Sequence, residues 1–225
     1  MGCSLRVLVF GEILWDCFGD RRELGGAPLN FAVHLARLGH AVRLISALGA
    51  DEPGRAARER LRVVGLPDDL VGTSREFPTG RVTVELDAGG DPAFTIHRPA
   101  AYDAVALSEH QWRELRRWDP EWIYFGTLAA TAGRPQRLLE ELLGTFQGSR
   151  RFYDLNLRAG SYTPELLGRL LPRAQVAKLN EEEMRECAAL FAIPSGNAFD
   201  FCEAACARFG WRAAAVTFGA RGCGV

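Results

Sequence analysis

Apolar residues alternate between two periods along the chain. Leu5–Gly11 is a short apolar run rich in β-formers and predicts a buried strand. Pro28–Leu38 carries Leu29, Val33 and Ala36 at helical spacing, starts with Pro and stops at Gly39, which predicts a helix. The rhythm repeats: strand Ala41–Leu48, helix Pro53–Val64, strand Trp122–Phe125, helix Pro135–Phe146, strand Arg151–Leu155, helix Pro164–Leu171 and strand Val176–Leu179. Helices from Glu181 and Ala198 lead to a last strand, Ala213–Thr217. Strands alternating with helices predict an α/β fold, a doubly wound, mostly parallel sheet covered on both faces.

One stretch breaks the pattern. Arg81–Asp87 and Ala93–Arg98 alternate like half-exposed strands across Ala88-Gly89-Gly90-Asp91-Pro92, predicting an inserted β-hairpin at about 81–98. Such a hairpin could serve as a lid over the carboxyl ends of the strands, as an edge decoration, or as a surface for homodimer formation.

Composition narrows the class. With 225 residues, net charge −1, 48% hydrophobic and 24% charged residues, the chain matches an ordinary globular protein, with no charge-based reason to expect nucleic acid or an anionic membrane. Six cysteines form no metal or disulfide framework, and Cys202 and Cys206, four apart, lack a second pair. Buried thiols in a reducing, cytoplasmic setting are the expectation. The apolar start is broken by Glu12 and Asp16, so it reads as neither secretion signal nor membrane span, and Arg6 spoils a Met1-Gly2 myristoylation start.

Five segments could carry chemistry. The first strand runs out through Glu12 to Asp16, whose carboxylate could accept sugar hydroxyls or cap nearby backbone. Gly25-Gly26 opens a helix with free N–H groups, and Asn30 one turn in offers donor and acceptor to a polyol, or only to solvent. In Asp154-Leu155-Asn156-Leu157-Arg158, period two predicts three polar side chains on one face; Arg158 could hold an anion, or the set could form a strand-end salt bridge. Asn180 with Glu183 is a capping-box pattern, and a first-turn carboxylate can also order water around Mg²⁺. Thr217-x-Gly219-x-x-Gly222 offers a hydroxyl and bare backbone to phosphates, or an ordinary turn.

In order and spacing these segments resemble the ribokinase-like (PfkB) carbohydrate kinases. Gly25-Gly26-x-x-x-Asn30 with Gly39 resembles the family's N-terminal signature, and Gly49-Ala50-Asp51-Glu52-Pro53-Gly54 its G-x-D-x-x-G turn. Asn180–Glu183 matches N-x-x-E, and Thr217, Gly219 and Gly222 match T-x-G-x-x-G; GEILWD, GGAPLNFAVHLARLG, YFGTLA and YDLNLR are similar to fructokinases. The resemblance implies phosphorylation of a sugar by ATP with Mg²⁺. Asp16, Gly25, Gly26 and Asn30 would bind the sugar, Arg158 would contact the sugar or the transferring phosphoryl group in a supporting catalytic role, and Phe94, Ile96 and Arg98 would close over the sugar. Asn180, Glu183 (to Mg²⁺ through water), Thr217, Gly219 and Gly222 would border the nucleotide. The family's G-A-G-D base motif does not occur in these residues, so the resemblance implies an incomplete fold and a 225-residue chain inactive or nearly so by itself. Fructose is the implied sugar, and 2-keto-3-deoxygluconate or ribose the rivals. A non-catalytic sugar-binding module is a further alternative. A dehydrogenase is disfavoured because no G-x-G-x-x-G follows the first strand.

Overall fold

The computed structural model describes residues 4–86, 92–131, 133–158 and 160–225. Cys3, the Met1-Gly2 start, Asp87 and residues 88–91 of the expected turn Ala88–Pro92 lie outside them, Pro92 being the first residue of a strand. Eight strands form the main sheet. These are β1 (Arg6–Phe10), β4 (Ala41–Gly49), β5 (Val71–Ser74), β8 (Trp122–Gly126), β9 (Arg150–Asp154), β10 (Val176–Asn180), β11 (Ala213–Thr217) and β12 (Cys223–Gly224). Their order is β12-β11-β10-β9-β8-β1-β4-β5, parallel throughout except for β12.

The two faces of β1 divide the core. Leu8 and Phe10 pack with α3 (Glu109–Trp118), α4 (Gly133–Thr145), α5 (Pro164–Leu170), α6 (Glu181–Phe191) and α7 (Ala198–Phe209). Val7 and Val9 pack with α1 (Ala27–Arg37) and α2 (Glu52–Val63). On this second face α1 reaches as far as β9, where Phe31 lies 5.4 Å from Phe152 between ring centroids. Beyond it, Val176, Lys178, Ala213 and Ala215 stay half-buried, so β10 and β11 alternate between a fully covered face and a partly open one. No helix among the described residues is long and apolar enough to cross a membrane.

The expected hairpin is present as β6 (Gly80–Leu86) and β7 (Pro92–His97), but it is half of a larger unit. β2 (Leu14–Phe18) and β3 (Arg21–Gly25) join it in a separate four-stranded sheet, ordered β3-β2-β6-β7. The first strand of the main sheet therefore ends at Phe10, and Asp16 stands on the small sheet and not at the end of β1. Leu14 pairs with Gly80 and Asp16 with Val82 in parallel register, a contact between segments more than sixty residues apart.

A polar junction ties the small sheet's root to the large one. Asp51 caps α2 by accepting Gly54 N–H at 2.9 Å, and also accepts the Thr79 N–H at 2.9 Å and hydroxyl at 2.5 Å. Thr79 Oγ1 in turn accepts Gly49 N–H at 2.9 Å. Burial raises the Asp51 pKa, but these donors outweigh it and hold the carboxyl below its ordinary value. The G-x-D-x-x-G turn is thus a structural clamp between β4, α2 and the start of β6.

Candidate functional site

A cavity of about 220 Å³ lies between the small sheet, the N-terminus of α1 and the loop after β9. Asp16 and Phe18 of β2, Val82 of β6, and Phe94 and Ile96 of β7 line its roof side. Gly26, Ala27 and Asn30 come from the start of α1, and Asn156 and Arg158 from the loop. Glu12, Leu14 and Leu128 are buried at its base.

Local chemistry explains how these groups converge. Gly26 has φ +112°, and a Cβ there would meet Glu12 O at 2.5 Å; Gly25 lies against Asp16, where a Cβ would come within 2.3 Å of Oδ2. Gly25 therefore makes room for Asp16 and does not line the cavity. The helix start at Gly26 has no side-chain cap of its own, and the Ala27 backbone bonds the Glu12 carboxyl.

The loop after β9 departs from strand geometry. β9 ends at Asp154, and Asn156 takes φ +41°, a left-handed conformation that asparagine tolerates better than most residues. Period two therefore fails past Asp154, and the three polar groups do not share a face. Asp154 is buried and turned inward, accepting Tyr124 Oη–H at 2.9 Å and Lys178 Nζ at 3.0 Å. Asn156 and Arg158 swing to the cavity. Arg158 is exposed and, among the described residues, donates only to Leu157 O, at a long 3.4 Å.

Arg98 goes elsewhere. Its guanidinium pairs with Asp103, stacks near Tyr102 and donates to Leu128 O at 3.3 Å, so it does not line the cavity with Phe94 and Ile96. The expectation that Arg98 faces a ligand overlooked Asp103, five residues on, as a competing partner.

The charges on the cavity's carboxyls are perturbed. Glu12 is 2% exposed, and its pKa is pushed up to about 7. Burial is the main cause, the backbone of Glu12 itself and of Ala27 opposing it, with Asp154 adding and Arg158 subtracting. Its Oε2 has no hydrogen-bond partner among the described residues. Asp16 is also raised, by burial first, against the pull of Arg158 and with a push from Glu23. Glu12 and Asn156 complete a site that the sequence reading built from Asp16, Asn30 and Arg158. Glu12 stands between β1 and β2 in a run whose burial the sequence alone does not display.

The second expected group sits farther along the same carboxyl edge. Asn180 ends β10 beside its register partner Thr217 at the end of β11. Asn180 and Glu183 form the reciprocal capping box: Glu183 N–H donates to Asn180 Oδ1 at 2.9 Å and Asn180 N–H to Glu183 Oε2 at 2.8 Å. The other oxygen, Oε1, accepts Leu157 N–H at 2.7 Å. Burial raises the Glu183 pKa, the two N–H donors opposing it. Gly219 opens a 3₁₀ turn, Gly219–Arg221, that ends at Gly222 and is held to α6 by an Arg221–Glu181 ion pair. A Cβ on either glycine would meet nothing within 4 Å, so the backbone there borders open space.

Three comparisons place the chain among known proteins. The family model described as pfkB family carbohydrate kinase matches residues 5–225. The aminoimidazole riboside kinase of Salmonella typhimurium is 30% identical over 198 residues, covering 80% of this chain and 59% of that protein. A Salmonella typhimurium fructokinase is 31% identical over 198 residues, covering 80% and 62%. The chain thus spans about three fifths of the length of these curated relatives. Among solved structures, fructokinase with bound ATP from Xylella fastidiosa superposes with a TM-score of 0.80 at 26% identity, over 95% of this chain and 68% of that one.

Proposed function

The chain belongs to the pfkB family of carbohydrate kinases, and from that premise we propose that its protein transfers a phosphoryl group from MgATP to a sugar hydroxyl, converting fructose to fructose 6-phosphate. One observation carries the choice of site: Asp16, Asn30, Asn156 and Arg158 line a single cavity under the small sheet, at the carboxyl edge of the parallel strands. Asp16 and the asparagines supply acceptors and donors suited to a polyol, while Phe94 and Ile96 of the roof exclude water as it closes. Homodimer formation through the lid belongs to the same reading, since Phe94 and Phe18 at the cavity remain 56% and 41% exposed.

ATP fits the edge beside this cavity. Asn180, Thr217, Gly219 and Gly222 would border its phosphates, the open space over both glycines admitting them. ATP supplies the phosphoryl group; Mg²⁺ would be held chiefly by those phosphates and water, since no cluster of three carboxylate, His or Cys ligands exists among the described residues. Both Glu183 oxygens already accept N–H groups, which supports an ordering role toward water around the ion over direct ligation. The reading places the protein in the cytoplasm, acting on a small molecule without nucleic acid.

The family's G-A-G-D base is not among these 225 residues. Loss of a general base costs roughly 10²–10⁴-fold, so this polypeptide by itself is expected to bind fructose with little or no turnover. A coupled ADP-release assay with fructose, ribose and 2-keto-3-deoxygluconate tests both halves. Fructose-dependent turnover should require a polypeptide that includes the base segment, and brisk turnover by these 225 residues would contradict the reading.

A further inference from the structure

Every buried carboxylate around the cavity but one is satisfied. Asp154 accepts from Tyr124 and Lys178, and Glu183 from Leu157 and Asn180. Glu12 alone, 2% exposed and lining the cavity, keeps an oxygen without a partner among the described residues. An unmet buried acceptor is costly, and such a group persists where a ligand completes it.

The charges lining the cavity are unequal. Glu12 and Asp16 face one cation, Arg158. Arg98 is spent on Asp103 and Lys178 on Asp154, so neither is available to a ligand there. A hydroxyl entering the cavity can donate to Glu12. A carboxylate entering it meets two carboxyl groups and a single arginine, in a pocket whose buried base screens them poorly.

We propose that Glu12 is a specificity-determining residue of this site, accepting a ligand hydroxyl and turning away ligands that carry a carboxylate, so that the cavity takes an uncharged polyol or ketose and not a sugar acid. The inference rests on the reading of the cavity as the sugar site and adds to it the residue that sets the ligand's charge. Sites built to hydrogen-bond a hydroxyl discriminate strongly against ligands that lack it, because the buried partner is left unpaired.

Calorimetric titration of fructose and of 2-keto-3-deoxygluconate into wild type and Glu12→Gln at about pH 8.5, above the Glu12 pKa of about 7 so that its carboxylate is ionised, tests it, with circular dichroism to establish that the variant is folded. Wild type should bind fructose about tenfold or more tighter than the acid. In Glu12→Gln the two affinities should converge, fructose weakening and the acid tightening. An unchanged ratio, or a wild type that prefers the acid, overturns the assignment to Glu12 while leaving the sugar site standing. A variant-free arm uses D-glucitol and D-gluconate, one hydroxylated chain without and with a carboxylate, as competitors of fructose. Glucitol should compete and gluconate should not; equal competition overturns the proposal. If no sugar binds wild type at all, the sugar-site reading fails and this inference falls with it.

Discussion

Glu183 Oε1 accepts the backbone N–H of Leu157 at 2.7 Å, so the carboxylate that caps helix α6 also holds the loop carrying Asn156 and Arg158. One side chain thereby couples the loop that lines the cavity to the edge carrying Asn180 and Thr217. The coupling is built from backbone donors, which makes it independent of what residues 155–157 carry as side chains.

Removing that carboxylate should act at a distance. Glu183→Ala leaves the N–H groups of Leu157 and Asn180 without their acceptor in a largely buried setting, a cost of about 2 kcal/mol. Urea midpoints should fall accordingly. Fructose affinity should drop several-fold although Glu183 does not line the cavity. Glu183→Gln, which keeps one acceptor oxygen, should lie between. Unchanged sugar affinity in a destabilised Glu183→Ala protein would show that the loop holds its shape without this bond.

Stability should fall as pH rises through the range where Glu12 ionises. Its folded pKa, about 7, stands above the ordinary 4.5, so the unfolded chain releases this proton first. The contribution of neutral Glu12 is fully present below pH 4.5 and is lost progressively up to pH 7, a total of about 3 kcal/mol. Glu12→Gln has no such proton. The variant should therefore gain on wild type by that amount between pH 4.5 and 8, read from urea midpoints at both ends. Asp16 and Glu183, also raised, are present in both proteins and cancel in the difference. A gap that does not move with pH would show Glu12 to be solvated as an ordinary carboxylate.

What could be read from the sequence follows from how local each cause is. β1, α1 and α4 announce themselves by continuous apolar runs or helical spacing with Pro starts, and the Asn180–Glu183 box by a spacing of three. β2 and β3 do not, because Leu14-Trp15-Asp16-Cys17-Phe18 alternates poorly and gains its register from β6, far along the chain. The reach of Arg158 depends on a left-handed Asn156 that no period encodes. Asp16, Asn30 and Arg158 were legible as polar groups at element ends, whereas the isolation of Glu12 and the capture of Arg98 by Asp103 are tertiary facts. Sequence patterns show which groups are polar; only packing decides which of them are left without partners.

A sugar should bind in the cavity beneath the small sheet. A crystal structure of the protein soaked with fructose tests it most directly. Sugar hydroxyls should lie within about 3 Å of Asp16, Asn30 and Arg158, with Glu12 accepting one of them. Fructose found elsewhere on the molecule, with that cavity filled by solvent, would contradict it.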